Sequence, residues 1–293
     1  MKAKLPVLLI AFNRIDSTKR VFESIKKYAP QKLFISIDGP RNELEKVKVE
    51  QVLNFIETSV DWKCEVQKKV STHNLGCKKG CISAIDWFFE NVGMGIILED
   101  DCVPSNTFYT FCENALIKYQ NDDRVSIISG SRFCEDGQVA SLSKYQMIWG
   151  WASWANRWEL YKENIDSTRI AEFASKLANG YFEKLCWKDL MLRLNQGKIP
   201  SAWDFQLLFW SVLNDKYSVI PPVNMITNIG VGEGATNNSA TSIVNFRNSY
   251  EIEINKNILN NIKWEKDIDQ KIGKLFFGFS LKKFIYKKIK SIL

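Results

Sequence analysis

The first 130 residues alternate two patterns. Short apolar runs at PVLLIAF (6–12), LFISID (33–38), GIILED (95–100) and VSIIS (125–129) predict strands, and CEVQ (64–67) predicts a weaker one. Helical patterns lie between them. In STKRVFESIKKY, Val21, Ile25 and Tyr28 fall on one face, and Ser17 or Thr18 can cap the start. Further helices are predicted over about 42–59, 79–91 and 107–120. Near-continuous apolar strands alternating with helices imply an α/β fold whose mainly parallel sheet is covered on both faces.

The pattern changes after about residue 130. MIWGWASWANRW (147–158) is dense in Trp. Helical periodicity returns at 169–180, 182–195 and AWDFQLLFWSVL (202–213), and YSVIPPV runs into an irregular stretch. NIGVGEGATNNSATS (228–242) is a loop by composition. The expected organisation is a body of residues 1–245, with halves 1–130 and 131–245, followed by an extension, 246–293.

Charge sharpens the last boundary. The chain of 293 residues carries a formal +7, yet GKLFFGFSLKKFIYKKIKSIL (273–293) holds six Lys and no acid. The remainder is nearly neutral, which argues against nucleic-acid binding by the body. In the tail, Leu281, Phe284, Ile285, Ile289 and Ile292 share a helical face, with Lys282, Lys283, Lys287 and Lys290 off it. That pattern predicts a basic amphipathic helix able to lie on an anionic membrane surface or to pack on protein. Seven scattered Cys and a single His argue against a zinc site. The apolar run in MKAKLPVLLIAFNR lacks a small-residue cleavage site and reads as a first strand. The expected location is cytoplasmic, with the tail able to hold the protein at the inner face of the plasma membrane.

GIILEDDCVPS ends an apolar strand in Glu99, Asp100 and Asp101. Adjacent anions repel, so the arrangement calls for a positive partner. In open α/β sheets ligands gather at the carboxyl ends of strands. Hard oxygens there suit Mg²⁺ or Mn²⁺, which share phosphate oxygens with a substrate. The bland alternative is a solvated turn near a helix N-terminus.

ILEDD followed by P-x-x-x-F resembles the metal-binding signature of GT-A glycosyltransferases. It is most similar to the N-acetylglucosaminyltransferase I family and its bacterial relatives. PVLLIAFNR, SIDGPR, WGWASW, AWDFQ and TNIGVGEGATNN resemble further family segments in the expected order, over roughly residues 5–240. The resemblance implies a GT-A nucleotide-diphospho-sugar transferase fold, with 1–130 binding nucleotide and 131–245 the acceptor. It implies a metal-dependent, inverting transfer from a UDP-linked sugar to a glycan or glycolipid acceptor. Bacterial surface glycan synthesis is the setting that fits. Two positions depart from the family: Phe205 replaces an acid after Asp204, and Phe12 replaces a Cys.

By that resemblance Asp101 contacts the metal, while Glu99 and Asp100 face the donor sugar and ribose. Arg14 meets the nucleotide and Asp38 the uracil imide. Asp204 is the general base, since an acceptor alcohol needs a proton removed. Trp149, Trp151 and Trp203 are candidates to stack on the acceptor, although most Trp are core. Gly230, Gly232, Gly234 and Ala235, with the Thr236 hydroxyl, would close on the β-phosphate. Lys79 or its neighbour Lys78 would reach phosphate. His73 reads as part of a loop entering a helix. Two rivals stand beside this reading. A sugar-1-phosphate nucleotidyltransferase would want a Gly-rich loop where AFNRIDSTKR has none. A carbohydrate-binding protein without turnover would use only the Trp cluster.

Overall fold

The computed structural model describes residues 4–199, 201–230 and 248–277. In chain order the elements are β1 (Val7–Ala11), α1 (Ile15–Tyr28), β2 (Lys32–Ile37), α2 (Glu43–Ser59), β3 (Glu65–Val70), α3 (Gly76–Asn91), β4 (Met94–Glu99), β5 (Cys102–Pro104), α4 (Asn106–Tyr119), β6 (Val125–Ser129) and β7 (Ser141–Ser143). They continue with β8 (Trp151–Trp154), α5 (Ala155–Trp158), α6 (Ile170–Leu177), α7 (Tyr181–Asn195), α8 (Asp204–Leu213), β9 (Tyr217–Ile220), β10 (Ile226–Asn228) and α9 (Lys266–Phe277). Eight strands form one mixed, mainly parallel sheet in the order β3-β2-β1-β4-β8-β6-β9-β7. β8 runs antiparallel to both β4 and β6, and β7 antiparallel to β9.

Strand alternation assigns the two faces. Leu9, Ile35, Ile96, Leu98 and Ile128 point to one side, under α1, α2 and α4. Leu8, Phe34, Ile97, Ile127 and Trp151 point to the other, under α3 and the start of α8. A third cluster joins α6, α7 and α8 to Ile268 and Ile272 of α9. The predicted strands and helices of the first 130 residues are present. The cap prediction differs: α1 starts at Ile15, and buried Thr18 hydrogen-bonds back to the Arg14 carbonyl without capping.

The two predicted halves share one sheet, because β8 of the second half lies between β4 and β6 of the first. Part of the predicted extension is also built into the body. Ile258 and Leu259 are buried in the main core, and the Tyr119 hydroxyl donates to the Leu259 carbonyl at 2.6 Å. The Glu251 carboxylate accepts the Asn106 and Thr107 backbone N–H groups at 2.7 and 2.9 Å. It thus caps α4 from a distant position, while Ser105 at the N-cap makes no side-chain cap hydrogen bond. The amphipathic pattern at 281–292 lies outside the described residues. No helix among the described residues is long and apolar enough to cross a membrane.

Candidate functional site

Parallel register brings the site together. Ile10 of β1 pairs with Glu99 of β4, so the chain leaving β1 through Phe12, Asn13 and Arg14 passes beside Asp100 and Asp101. The Arg14 guanidinium pairs with Asp100 and lies 3.0 Å from Asp101 Oδ2. The second Asp100 oxygen accepts the Phe12 backbone N–H at 3.3 Å. The positive partner that the three acids call for is therefore present in the chain itself. Asp100 is 3% exposed, and burial pushes its carboxyl up to about 6 against the pull of Arg14.

Glu99 continues the Ile97 side of β4 and is half-buried toward α3. Among the described residues no hydrogen bond holds its carboxyl. Burial first, then Asp101, Cys77 and Asp100, raise it well above the usual carboxylate range. Asp101 lies against the strand pair β5–β10: its carbonyl accepts the Ile229 N–H at 2.8 Å. A Cβ on Gly230 would fall 2.0 Å from Asp101 Oδ2, so only glycine lets the backbone approach the acid this closely. Residues 231–247 lie outside the described residues, and with them Gly232, Gly234, Ala235 and the expected phosphate contact of Thr236.

The start of α8 packs on the sheet face that α3 covers. Asp204 opens that helix, half-buried, and desolvation raises its carboxyl despite the N–H groups of Asp204 and Phe205. Cys77, in the first turn of α3, feels the charges of Asp204, Asp101 and Arg14 together. A hydrogen bond from Cys81 lowers the Cys77 thiol against the cost of burial, while Cys81 itself is raised. Gln206, with its amide turned to donate to the Ala202 and Trp203 carbonyls at 3.2 and 3.1 Å, accepts from Lys78 Nζ at 3.3 Å. Cys77, Cys81, Gln206 and Gly230's role as a backstop escaped sequence reasoning. Nothing local in the sequence showed what the two thiols face.

Asp38 sits at the end of β2, away from the cluster of like charges. Its carboxylate accepts four N–H groups: Gly39 and Leu75 at 2.8 Å, and Gly76 and Asn74 Nδ2 at 3.1 Å. Those four donors use the lone-pair sites of a carboxylate. Asp38 therefore ties the start of α3 to the sheet. Lys79 is also relocated. It lines an open hollow of about 340 Å³ on the outer side of α3, with Lys69, Ser83, Trp87 and Glu163, which shares no residue with the acid corner. Lys78 is the lysine turned toward α8.

The aromatic expectation is corrected in part. Trp151 is 1% and Trp203 4% exposed, and both pack with Trp158 in the core, so neither offers a ring to an acceptor. Trp149 is only partly buried, edge-on to Phe133 at 5.3 Å. His73 is exposed beside Thr72, and its backbone lies against Gly39.

Among the described residues no three His, Cys, Asp or Glu side chains converge as a metal cage. A magnesium-type ion needs fewer protein ligands, because it is held through one or two carboxylates, water and substrate phosphate. The hard oxygens of Asp101, at the cleft, fit an ion shared in that way.

No protein-family model and no curated protein matches the chain. Solved structures similar to it include HddC from Yersinia pseudotuberculosis, with TM-score 0.34 and 10% identity over 52% of this chain and 77% of that one. HddC complexed with GMP-PN gives the same values. The mannosyltransferase PcManGT from Pyrobaculum calidifontis, in complex with GDP-Man and Mn²⁺, has TM-score 0.38 and 12% identity over 73% of this chain and 70% of that one. Likenesses this distant assign neither family nor chemistry.

Proposed function

We propose that the chain is a glycosyltransferase of GT-A type, taking a sugar from a nucleotide-diphosphate donor with Mn²⁺ or Mg²⁺ and passing it to a saccharide acceptor. The observation that carries this reading is the acid corner at the carboxyl ends of β1 and β4, facing a helix that opens with a desolvated carboxylate. Asp101 would hold the ion, which when bound neutralises the diphosphate leaving group. Glu99, held above the usual range by burial, offers a hydroxyl-binding group to the donor sugar. Asp204 takes the proton of the acceptor hydroxyl, and its raised affinity for protons suits a base working near neutral pH. A base on the side opposite the diphosphate gives inversion. UDP is supported by the sequence resemblance alone, since the Asp38 carboxylate is engaged by three backbone N–H groups and the Asn74 amide. Trp149 is the aromatic left for the acceptor side. The basic tail is proposed to meet an anionic membrane, which liposome sedimentation of the full chain against one ending at residue 277 checks.

The test is a thermal-shift panel of UDP, GDP, CDP and ADP with and without Mn²⁺. One diphosphate is expected to stabilise the protein only when the metal is present. Asp204→Asn should keep that stabilisation and lose transfer by about 10²–10⁴-fold. Equal stabilisation without metal, or none by any nucleotide, contradicts the reading.

A further inference from the structure

The acid corner contains a cation of its own, and its two pairings are unequal. Asp100 is buried, with one oxygen on Arg14 and the other on the Phe12 N–H. Asp101 has a side chain 14% exposed, and its Oδ2 takes the second guanidinium contact at 3.0 Å. The Arg14 side chain is itself 35% exposed. Its backbone is fixed, because the Arg14 carbonyl accepts the Thr18 N–H at 3.0 Å, the Thr18 hydroxyl at 2.7 Å and the Ser17 hydroxyl at 3.2 Å. Only the side chain has freedom to move, and the Asp101 contact is the one open to the cleft.

We infer that Arg14 is the resident counter-ion of Asp101 and is exchanged for a divalent cation, the released guanidinium then pairing with the donor's diphosphate. This rests on the transferase reading above. Both Asp101 oxygens are engaged, Oδ2 by Arg14 and Oδ1 by the Cys102 thiol at 3.4 Å, and a metal bound at Oδ2 would meet the guanidinium. A carboxylate oxygen cannot serve both at full strength, since two cations crowded on it repel. Metal alone must therefore compete with Arg14. Metal arriving with a diphosphate gives the guanidinium a new anion within reach, and guanidinium pairs with phosphate in a bidentate fork. The exchange makes metal and nucleotide binding mutually dependent, with the coupling stored in one side chain.

The inference predicts effects of opposite sign from one substitution. Free-Mn²⁺ electron paramagnetic resonance measures binding of Mn²⁺ alone, and calorimetry measures binding of UDP and GDP in saturating Mn²⁺. Arg14→Ala should bind Mn²⁺ alone about fivefold or more tighter than the native protein. It should bind the diphosphate about tenfold or more weakly. Arg14→Gln, which keeps a donor for Asp100 without the charge, should shift both in the same directions and covers a failure of the alanine variant to fold. A merely structural role would weaken both ligands. Unchanged or weaker Mn²⁺ binding in the variants overturns the exchange, and so does unchanged diphosphate binding. If the native protein binds no diphosphate with Mn²⁺, the transferase reading fails instead, and the Mn²⁺ comparison still tells whether Arg14 guards Asp101.

Discussion

Two carboxylate sites stand at the same edge of the sheet and are solved in opposite ways. Asp38, at the end of β2, meets four neutral N–H donors. Asp100 and Asp101, at the end of β4, share a single guanidinium, with Glu99 beside them. The first site is complete: every lone pair is used, and its product is a fixed start for α3. The second is short of positive charge and partly open. A satisfied carboxylate builds structure, whereas an under-neutralised cluster stores an electrostatic cost that a ligand can relieve. The contrast separates a carboxylate saturated by hydrogen bonds from a cluster still short of counter-charge, two situations that the sequence presents in the same way.

The largest expected effect tests the framework side. Asp38→Ala orphans several donors and should cost about 3 kcal/mol in urea unfolding. A loss near zero would mean that Asp38 is not the tie described. Next comes Gly230→Ala. Its Cβ would fall on Asp101 Oδ2, and the strain should cost about 2 kcal/mol while reducing Mn²⁺-dependent stabilisation by diphosphate. Native behaviour on both counts would show that the close approach is relieved without consequence. Asp101→Asn should cost about 1 kcal/mol or less, since it removes one contact of a part-exposed pair. Its Mn²⁺-dependent diphosphate stabilisation should vanish, so a large stability loss with metal dependence intact would reverse the comparison.

The smallest effect is in pH. The Asp100 carboxyl stands at about 6 in the fold against 3.8 ordinarily. Between those values the folded chain binds more protons than the unfolded one. Stability from this group therefore falls as pH rises from about 4 to 6, and the penalty stays in place above 6. Glu99, raised by burial and by its acidic neighbours, contributes with the same sign. Melting temperatures across this window should decline more steeply for the native protein than for Asp100→Asn. Parallel slopes would remove the acid corner from the account.

Much of the framework was legible because its signals are local. Period-two and period-3.6 patterns located β1, β2, β4, β6 and the four helices between residues 15 and 119. The Trp-rich segment was not legible. Trp151 and Trp154 belong to an antiparallel strand buried on both faces between β4 and β6, which has no alternating signature. The acids and Asp204 were visible as residue types, and their roles remain proposals. Their partners were not visible. Arg14 reaches Asp100 across 86 positions, and Asn74–Gly76 reach Asp38 across 36 to 38. Only the strand register and the start of α3 bring those pairs together. The same limit left Lys78 and Lys79 undivided in the sequence: Lys79 lines the hollow on α3, while Lys78 reaches Gln206 and Glu163.

The central claim is that the acids at the end of β4 hold a divalent ion against a diphosphate. Crystals grown with UDP and Mn²⁺, measured for anomalous scattering from manganese, test it most directly. The account predicts a peak at coordination distance, about 2.1 Å, from an Asp101 carboxylate oxygen, with phosphate oxygens on its other side and Arg14 turned away from Asp101. Nucleotide bound with no manganese at Asp101, or manganese bound elsewhere with Arg14 still on both acids, would contradict it.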